Sequence, residues 1–268
     1  MKEIPVQIDW VNIVDNYPKL LRNIKGIIFD FDGTLFDVAR FPLNLIAANP
    51  LDCLHIWQER LVRKSFAGCD YGTSEEYFRA FFEALGKTSY KSPERIRKWY
   101  FNRYMPRMIR VLKKHYKPRP GATELLRYFE APNALRAAIY SDYPFPKERL
   151  EVMGLNPGPA IRLYGSESFG AQKPAVRPFL SIASDMGVSP EEVLVIGDRE
   201  DTDGLGAFRA GMRFFFLETG SKRYYRLDPN RRPEKAKPSG PSLVMYAGAW
   251  EDLVRLLRNT FGETCRQV

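Results

Sequence analysis

Two aspartates, Asp30 and Asp32, stand two residues apart at the point where a short apolar run ends. Carboxylates this close repel one another unless a bound cation or a proton relieves the repulsion. Gly33 follows them, and a glycine at that position lets the chain turn sharply. An ordinary acidic turn between a strand and a loop is the simpler interpretation, although a strand this apolar rarely ends in two acids. The pair therefore predicts a site that holds a cation or transfers protons.

A second acidic cluster runs from Asp198 to Asp203 and directly follows another apolar run. Asp201 or Thr202 could be an ordinary helix N-cap, which is the non-functional alternative. Taken together, the two clusters offer carboxylate oxygens, the hard ligands that select Mg²⁺ over zinc or copper. Proteins bind Mg²⁺ through a few carboxylates together with a substrate phosphate. The two clusters therefore predict a magnesium site.

Ser141 and Lys173 have side chains whose chemistry suits a phosphoryl group. A hydroxyl, together with the backbone N–H groups that follow it, can hold phosphate oxygens. A lysine brings a compact positive charge to the same oxygens. Taken alone, Lys173 is better explained as a surface lysine before a proline. Beside two acidic clusters, the two residues favour phosphoryl chemistry.

These polar residues follow apolar runs that alternate with helical patterns, and the runs predict strands. Predicted strands lie at 24–29, 135–140, 161–164, 193–196, 214–217 and 243–246. Such alternation predicts an α/β fold with a doubly wound parallel sheet. Ligands bind beyond the carboxyl ends of the strands in sheets of this kind, so the polar residues are expected to meet there. Residues 1–23 have no evident place in this core.

The pattern between the first two predicted strands is helical. Leu54, Trp57 and Leu61 form the apolar stripe of one predicted amphipathic helix. Thr73 and Ser92 have the sequence context of helix N-caps. Amphipathic helices are predicted over 51–66, 74–85 and 93–116. We therefore predict a helical cap at 37–118, inserted into a core made of 1–36 and 119–268.

The composition excludes several classes of protein. The chain has 268 residues, of which 44% are hydrophobic, and this argues against disorder. No apolar run approaches the roughly 18 residues that span a bilayer, so no membrane partner is expected. The N-terminus lacks the features of a signal peptide. Three cysteines and two histidines show no metal-ligand spacing, and so few cysteines fit the cytoplasm.

The formal net charge of +9 has a local source in residues 221–238, which contain seven Lys or Arg residues and two acids. A solvated loop, an electrostatic funnel for an anionic substrate and a weak nucleic-acid patch are all consistent with this segment. Four arginines of the predicted cap are similarly open to two interpretations, a solvated helix face or a site for a substrate carboxylate or second phosphate. They are Arg60, Arg63, Arg103 and Arg107.

Four motifs, in their order along the chain, resemble those of the haloacid dehalogenase-like hydrolase superfamily over residues 24–217. They are Asp30-Phe31-Asp32-Gly33-Thr34-Leu35, Ser141-Asp142, Lys173-Pro174 and Gly197-Asp198 through Asp203. The helical insertion resembles the α-helical cap of the phosphoglycolate phosphatase and phosphoglucomutase-like branch. The resemblance implies a Rossmann-like catalytic core and the activity of a phosphoric monoester hydrolase.

The resemblance also implies a role for each matching residue. Asp30 would be the nucleophile that forms an aspartyl-phosphate, and Asp32 would be the general acid and then the base that activates water. Asp30, Asp198 and the backbone carbonyl of Asp32 would ligate Mg²⁺. Asp203 would hold the waters of the metal or the side chain of Lys173. The substrate-binding residues would be Ser141, Asp142 and Lys173.

These observations predict a Mg²⁺-dependent phosphatase that hydrolyses a small phosphorylated metabolite. One alternative is a sugar phosphomutase with the same aspartate chemistry, which would require a bisphosphate activator. A second alternative belongs to another class, a non-catalytic or nucleic-acid-binding protein that uses residues 221–238. That alternative predicts salt-sensitive retention on nucleic acid and no metal-dependent hydrolysis. The complete set of motif residues favours the phosphatase, whose substrate identity and oligomeric state the sequence leaves open.

Overall fold

A parallel sheet of seven strands forms the centre of the computed structural model, which describes residues 8–12, 20–131, 134–219 and 243–261. Its strands run β1-β7-β6-β5-β2-β3-β4 across the sheet, and every pairing is parallel. The predicted doubly wound α/β fold is confirmed. In chain order the strands are β1 (Ile8–Asn12), β2 (Gly26–Asp30), β3 (Arg136–Tyr140), β4 (Ile161–Tyr164), β5 (Val193–Gly197), β6 (Arg213–Leu217) and β7 (Leu243–Gly248).

The direction in which strands are added to the sheet reverses at β2, which lies between β3 and β5. The chain forms β3 and β4 on one side of β2 and then returns to form β5 on the other side. A reversal of this kind opens a crevice beyond the carboxyl ends of the two diverging strands. Asp30 is the last residue of β2, and Asp198 directly follows β5. The fold therefore brings the two acidic clusters to one crevice.

Buried side chains form a hydrophobic core on each face of the sheet. Successive residues of β2 point to opposite faces, so Ile27 and Phe29 belong to one core and Ile28 belongs to the other. All five residues of β2 are buried. Central strands of a parallel sheet are apolar on both sides because helices cover both faces. Asp30 thus lies at the end of a strand that is packed on both sides.

The N-terminal segment contains a strand that the sequence patterns did not predict. β1 pairs in parallel with β7, with Ile8 opposite Leu243 and Asn12 opposite Ala247. The strand that pairs with β1 comes from the other end of the chain, so nothing near residues 8–12 in the sequence indicates the pairing. The expectation that residues 1–23 have no place in the core is therefore wrong for 8–12.

A helical insertion connects β2 to β3. It contains α1 (Phe41–Ala47), α2 (Cys53–Ser65), α3 (Ser74–Ser89), α4 (Pro93–Trp99), a π-helical turn (Tyr100–Tyr104) and α5 (Met105–His115). The predicted N-caps are confirmed, because the side chains of Thr73 and Ser92 each accept a hydrogen bond from a backbone N–H group three residues on. Phe36 pairs with Pro118 where the chain leaves and re-enters the core. This pairing supports the division between core and cap, whose bounds stay a prediction.

Helix α2 buries a different face from the one that its apolar spacing predicts. Leu54, Trp57 and Leu61 are 61%, 57% and 48% exposed, whereas Glu59 and Arg63 are buried. The Nε of Arg63 donates to Oε1 of Glu59 at 2.7 Å, so the two charges enter the interior as a pair. The helix itself was predicted correctly. The face that the helix buries was predicted wrongly, because the sequence does not distinguish a buried ion pair from a solvated one.

The remaining helices pack around the sheet. They are α6 (Ala122–Tyr128), α7 (Pro146–Glu151), α8 (Ser166–Phe169), α9 (Val176–Met186), α10 (Leu205–Arg209) and α11 (Trp250–Phe261). None of the helices in the described ranges combines the length and the apolar content needed to cross a bilayer. The basic segment 221–238 lies outside the described residues, so each interpretation of it stays a prediction.

Candidate active site

Three buried carboxylates meet at the crevice between β2 and β5. Asp30, Asp198 and Asp203 are 7%, 4% and 2% exposed, and one oxygen of each lies within 4.8 Å of the others. Asp30 and Asp198 were predicted to converge, and the structure brings them together with Asp203. Oxygen atoms at this spacing could hold one divalent cation.

Glycines allow close approaches at the site, between the two acidic loops at Gly33 and within the second loop at Gly197. The φ angle of Gly33 is +97°, and a Cβ atom there would lie 2.5 Å from Oδ2 of Asp198. A Cβ atom on Gly197 would lie 2.6 Å from the Cβ of Asp203. Residues other than glycine rarely adopt such a φ angle, and none has room for its side chain at either position. Gly33 was predicted to serve the turn, and it also makes space for the second cluster.

Asp30 is held by one donor on each carboxylate oxygen. The Nζ of Lys173 donates to Oδ1 at 2.6 Å, and the hydroxyl of Thr34 donates to Oδ2 at 2.9 Å. Lys173 also donates to Oδ1 of Asp203 at 2.8 Å, which supports the predicted contact between these two residues. Thr34 lies within the first motif, but its side chain was not singled out. Its position four residues after Asp30, in the turn after the strand, was the available signal.

Lys173 is an interior residue rather than a surface lysine. Its side chain is 2% exposed, and Nζ lies 4.8 Å from the centre of the Tyr140 ring. Burial disfavours the charged ammonium, but the neighbouring carboxylates of Asp203 and Asp30 outweigh burial and raise the pKa of Lys173 well above its usual value. The alternative of a surface lysine before a proline is therefore wrong.

Burial makes negative charge costly at this cluster. Burial, together with the charges of Asp203 and Asp32, outweighs Lys173 and raises the pKa of Asp30 to about 7. Burial likewise raises the pKa of Asp203 to about 6. One lysine offsets one negative charge, whereas three ionised carboxylates carry three. A divalent cation at this position would favour the ionised form of the cluster.

Asp32 belongs to a different hydrogen-bond group. Its Oδ2 accepts a hydrogen bond from the hydroxyl of Ser141 at 3.0 Å, and its Oδ1 accepts one from Nη2 of Arg149. Its side chain is 24% exposed, so it is far more accessible to solvent than Asp30. The ligation of metal by the backbone carbonyl of Asp32 stays a prediction. The structure separates the two aspartates of the first motif into a buried, lysine-bound group and a partly exposed one.

Ser141 and Asp142 link the site to its surroundings. The hydroxyl of Ser141 is buried and also accepts a hydrogen bond from the backbone N–H of Tyr143 at 3.1 Å. Oδ1 of Asp142 accepts one from the backbone N–H of Lys173 at 3.1 Å, and its carbonyl oxygen accepts one from Nη1 of Arg63 at 2.8 Å. Asp142 therefore fixes the lysine loop and joins it to the cap. Its role in binding a substrate stays a prediction.

Contacts within the protein occupy three of the four cap arginines considered as substrate ligands. Arg63 is buried against Glu59, while Arg103 and Arg107 lie 3.1 Å and 2.9 Å from Oδ2 of Asp52. Arg60 is exposed. Sequence reasoning missed Gln172, whose Nε2 donates to the carbonyl oxygen of Arg63 at 3.0 Å and so ties the cap to the lysine loop. A glutamine beside a lysine has no signal of its own in the sequence.

Known proteins are similar in sequence to part of this chain or to most of it. Phosphoglycolate phosphatase from Aquifex aeolicus is 25% identical over 200 residues, which cover 71% of this chain and 83% of that protein. Glyceraldehyde 3-phosphate phosphatase from Methanopyrus kandleri is 41% identical over 64 residues, which cover 24% of this chain. That match spans only 27% of the Methanopyrus protein.

A solved structure and a family model cover more of the chain. A predicted phosphoglycolate phosphatase from Haemophilus somnus superposes with a TM-score of 0.51 at 21% identity, covering 75% of this chain and 88% of that one, which is a likeness of fold. The model of the haloacid dehalogenase-like hydrolases matches residues 24–211, a range that contains the three clustered aspartates and Lys173. With the match extending from β2 to the end of the second acidic cluster and beyond, the chain belongs to the haloacid dehalogenase-like hydrolase family.

Proposed function

We propose that this hydrolase is a Mg²⁺-dependent phosphatase that transfers the phosphoryl group of a small metabolite to Asp30 and then to water. The observation that carries the proposal is the position of Asp30, whose carboxylate contacts Lys173 and lies within one cation's reach of Asp198 and Asp203. Phosphoryl transfer depends mainly on positioning and on neutralising the oxygens of the transferred group. The buried lysine, together with a cation held by the carboxylate cluster, would supply both.

The donor set at the crevice fits Mg²⁺. The cluster of three carboxylates offers hard oxygen atoms, of which those of Asp30 and Asp198 would be ligands, and Lys173 offsets part of the negative charge. Asp30, Asp198 and the carbonyl of Asp32 would hold the ion, while Asp203 holds Lys173. When bound, the ion would neutralise charge on the nucleophile and on the phosphoryl oxygens.

A residue of the chain can be assigned to each step of the proposed reaction. Asp30 attacks phosphorus and forms an aspartyl-phosphate, while Asp32 donates a proton to the departing oxygen of the metabolite. Asp32 then takes a proton from water, which attacks phosphorus, releases inorganic phosphate and restores Asp30. During both transfers Lys173 neutralises charge on the phosphoryl oxygens, and the hydroxyl of Ser141 donates a hydrogen bond to them. The partial exposure of Asp32 suits a group that exchanges protons with solvent.

The two curated relatives support a phosphatase, since both are named for the hydrolysis of small phosphorylated compounds. A sugar phosphomutase would use the same aspartates, and it would differ by requiring a bisphosphate activator. Binding of nucleic acid through residues 221–238 would instead be sensitive to salt and would be lost when that segment is deleted.

We expect hydrolysis of small phosphomonoesters with Mg²⁺ and none above background with excess chelator. The measurement is release of inorganic phosphate from a set of phosphorylated carboxylic acids, sugars and trioses, with and without a bisphosphate. Turnover without any activator supports the phosphatase over the mutase. Equal phosphate release in Mg²⁺ and in chelator would contradict the proposal.

The raised pKa values of Asp30 and Asp203 predict how metal and pH affect stability. Both groups bind a proton more tightly in the folded protein than in the unfolded chain. In the unfolded chain a carboxyl has its usual pKa of about 4. Their stabilising contribution is complete when the pH is below that value and is lost as the pH rises through about 6 and about 7, the folded pKa values. Without metal, these two groups therefore contribute less to the free energy of unfolding at pH 8 than at pH 5.

Mg²⁺ should reverse this loss, because it competes with protons for the same oxygens. We expect Mg²⁺ at a hundred times its Kd to stabilise the protein by about 2.7 kcal/mol at pH 8, with a smaller effect at pH 5. Thermal unfolding with Mg²⁺ or chelator at both pH values checks this, with Asp30→Asn as the reference that lacks one of the two titrating groups. A melting temperature that does not respond to Mg²⁺ at either pH would contradict it.

A further inference from the structure

Arg149 joins the two residues that the proposed mechanism uses for proton transfer and for phosphoryl binding. Its Nη2 donates to Oδ1 of Asp32, and its Nη1 donates to the hydroxyl oxygen of Ser141 at 2.8 Å. Asp32 lies in the loop after β2, and Ser141 follows β3, so one guanidinium spans the carboxyl ends of two neighbouring strands. Arg149 lies outside the four family motifs of this chain.

The side chain of Arg149 is completely buried. A buried guanidinium is costly unless its charge is paired and its donors are bonded. The carboxylate of Asp32 pairs the charge, and the guanidinium carbon lies 4.3 Å from the centre of the Phe31 ring and 5.5 Å from that of Tyr143. Aromatic rings attract a cation that lies close to their faces. Arg149 is therefore held in one orientation, as the planar fork of an arginine allows.

The backbone before α7 sets the direction of Arg149. Phe145 has a φ angle of +60°, in the left-handed region, immediately before Pro146 begins the helix. Its N–H donates to Oε1 of Glu167 at 3.1 Å, and its carbonyl accepts the N–H of Arg149 at 3.1 Å. A phenylalanine adopts such a backbone only when the surrounding structure holds it there. The turn is thus a fixed support for the arginine.

The donors and acceptors in this group follow from the chemistry of its side chains. Arginine only donates, and the hydroxyl oxygen of Ser141 already accepts two hydrogen bonds, so its single proton points to Oδ2 of Asp32 whenever that carboxylate is ionised. The hydroxyl oxygen accepts from Arg149 and from the N–H of Tyr143. Each oxygen of Asp32 therefore has its own donor, Arg149 on Oδ1 and Ser141 on Oδ2.

We propose that Arg149 is a positioning residue that fixes Oδ1 of Asp32, so that Oδ2 is the oxygen that exchanges a proton with the leaving group and with water. The inference rests on the proposed function. When a phosphoryl oxygen accepts the hydroxyl proton of Ser141, Oδ2 loses its donor while Oδ1 keeps Arg149. Substrate binding then frees one oxygen of Asp32, and the arginine keeps the carboxylate from rotating.

Arg149→Met tests this inference, because methionine fills similar space without the two donors. We expect kcat for an alkyl phosphomonoester to fall about 100-fold, as for a misplaced catalytic group, with KM within threefold of wild type. Single-turnover transfer from p-nitrophenyl phosphate should fall less than tenfold, since that leaving group needs little help from a proton donor. A residue that only stabilised the fold would slow both substrates alike.

Two further variants complete the experiment. Arg149→Lys retains the charge but has no planar fork, so we expect it to fold and to lower kcat about tenfold; it carries the test if Arg149→Met does not fold. Arg79→Met removes an arginine from an exposed ion pair with Glu76, and its kcat should stay within twofold of wild type.

The outcomes separate this inference from the function on which it rests. Full turnover by Asp30→Asn would overturn the proposed function itself. Loss of turnover in Asp30→Asn, together with wild-type kcat in folded Arg149→Met and Arg149→Lys, would overturn only the positioning role. An equal loss for both leaving groups, or a rise in KM alone, would also overturn it.

Discussion

The Asp30→Asn variant is expected to lose at least about 10⁴-fold in kcat while keeping its fold, which is the loss typical of a missing covalent nucleophile. An amide nitrogen or carbonyl oxygen is too weak a nucleophile to attack phosphorus. The fold should survive because burial already disfavours the charge of Asp30, as its pKa of about 7 indicates. Phosphate release under saturating substrate and Mg²⁺ measures the loss, and circular dichroism checks the fold.

Asp37→Asn is the matched control for that variant. Asp37 lies in the same loop, is exposed, and accepts a hydrogen bond from the N–H of Ala39 at 2.8 Å. Its kcat should stay within about twofold of wild type, as for most surface substitutions. Comparable turnover by Asp30→Asn and Asp37→Asn would exclude a covalent role for Asp30.

Lys173→Met is expected to have the largest combined effect on stability and activity. Removing the ammonium leaves Asp30 and Asp203 buried without their shared partner, and breaking a buried pair costs about 3–5 kcal/mol. The loss should be greater at pH 8 than at pH 5, because at the lower pH the two carboxyls can take up protons. Denaturant unfolding without metal at both pH values measures it.

The same variant should lower kcat about 10³-fold, as when a donor to a developing anion is removed. Lys25→Met is its control, because Lys25 is exposed and pairs with Glu192 on the surface. That control should lose no more than about 1 kcal/mol. A Lys173→Met protein as stable and active as Lys25→Met would show that the buried ammonium has no part in the site.

The sequence predicted the site where chemically active residues directly follow a local structural signal, such as an apolar run or a glycine turn. The apolar run before Asp30 and the run before Asp198 predicted two strands, and a parallel sheet places the ends of such strands at one edge. Gly33 signalled a tight turn. The convergence of the acidic clusters could therefore be predicted from residue types and order, before any distance was known.

Features that depend on distant partners could not be predicted in this way. Glu59 and Arg63 look like a solvated pair on α2, but the hydroxyls of Tyr100 and Tyr104 from the later π-helical turn join them in the interior. Arg149 likewise lies among charged residues of a short helix, and only the fold brings it to Asp32. Burial of a charge has no local signature, since its partners come from elsewhere in the chain.

Trapping the phosphoenzyme tests the central claim most directly. The protein is quenched during turnover with Mg²⁺ and substrate, reduced with borohydride, digested and analysed by mass spectrometry. An acyl phosphate on Asp30 would be reduced to homoserine at that position, and unreduced samples would carry one phosphoryl group on the same peptide. The account predicts this modification at Asp30 and its loss in Asp30→Asn. Phosphate release with no modification at Asp30, or with the phosphoryl group on another residue, would contradict it.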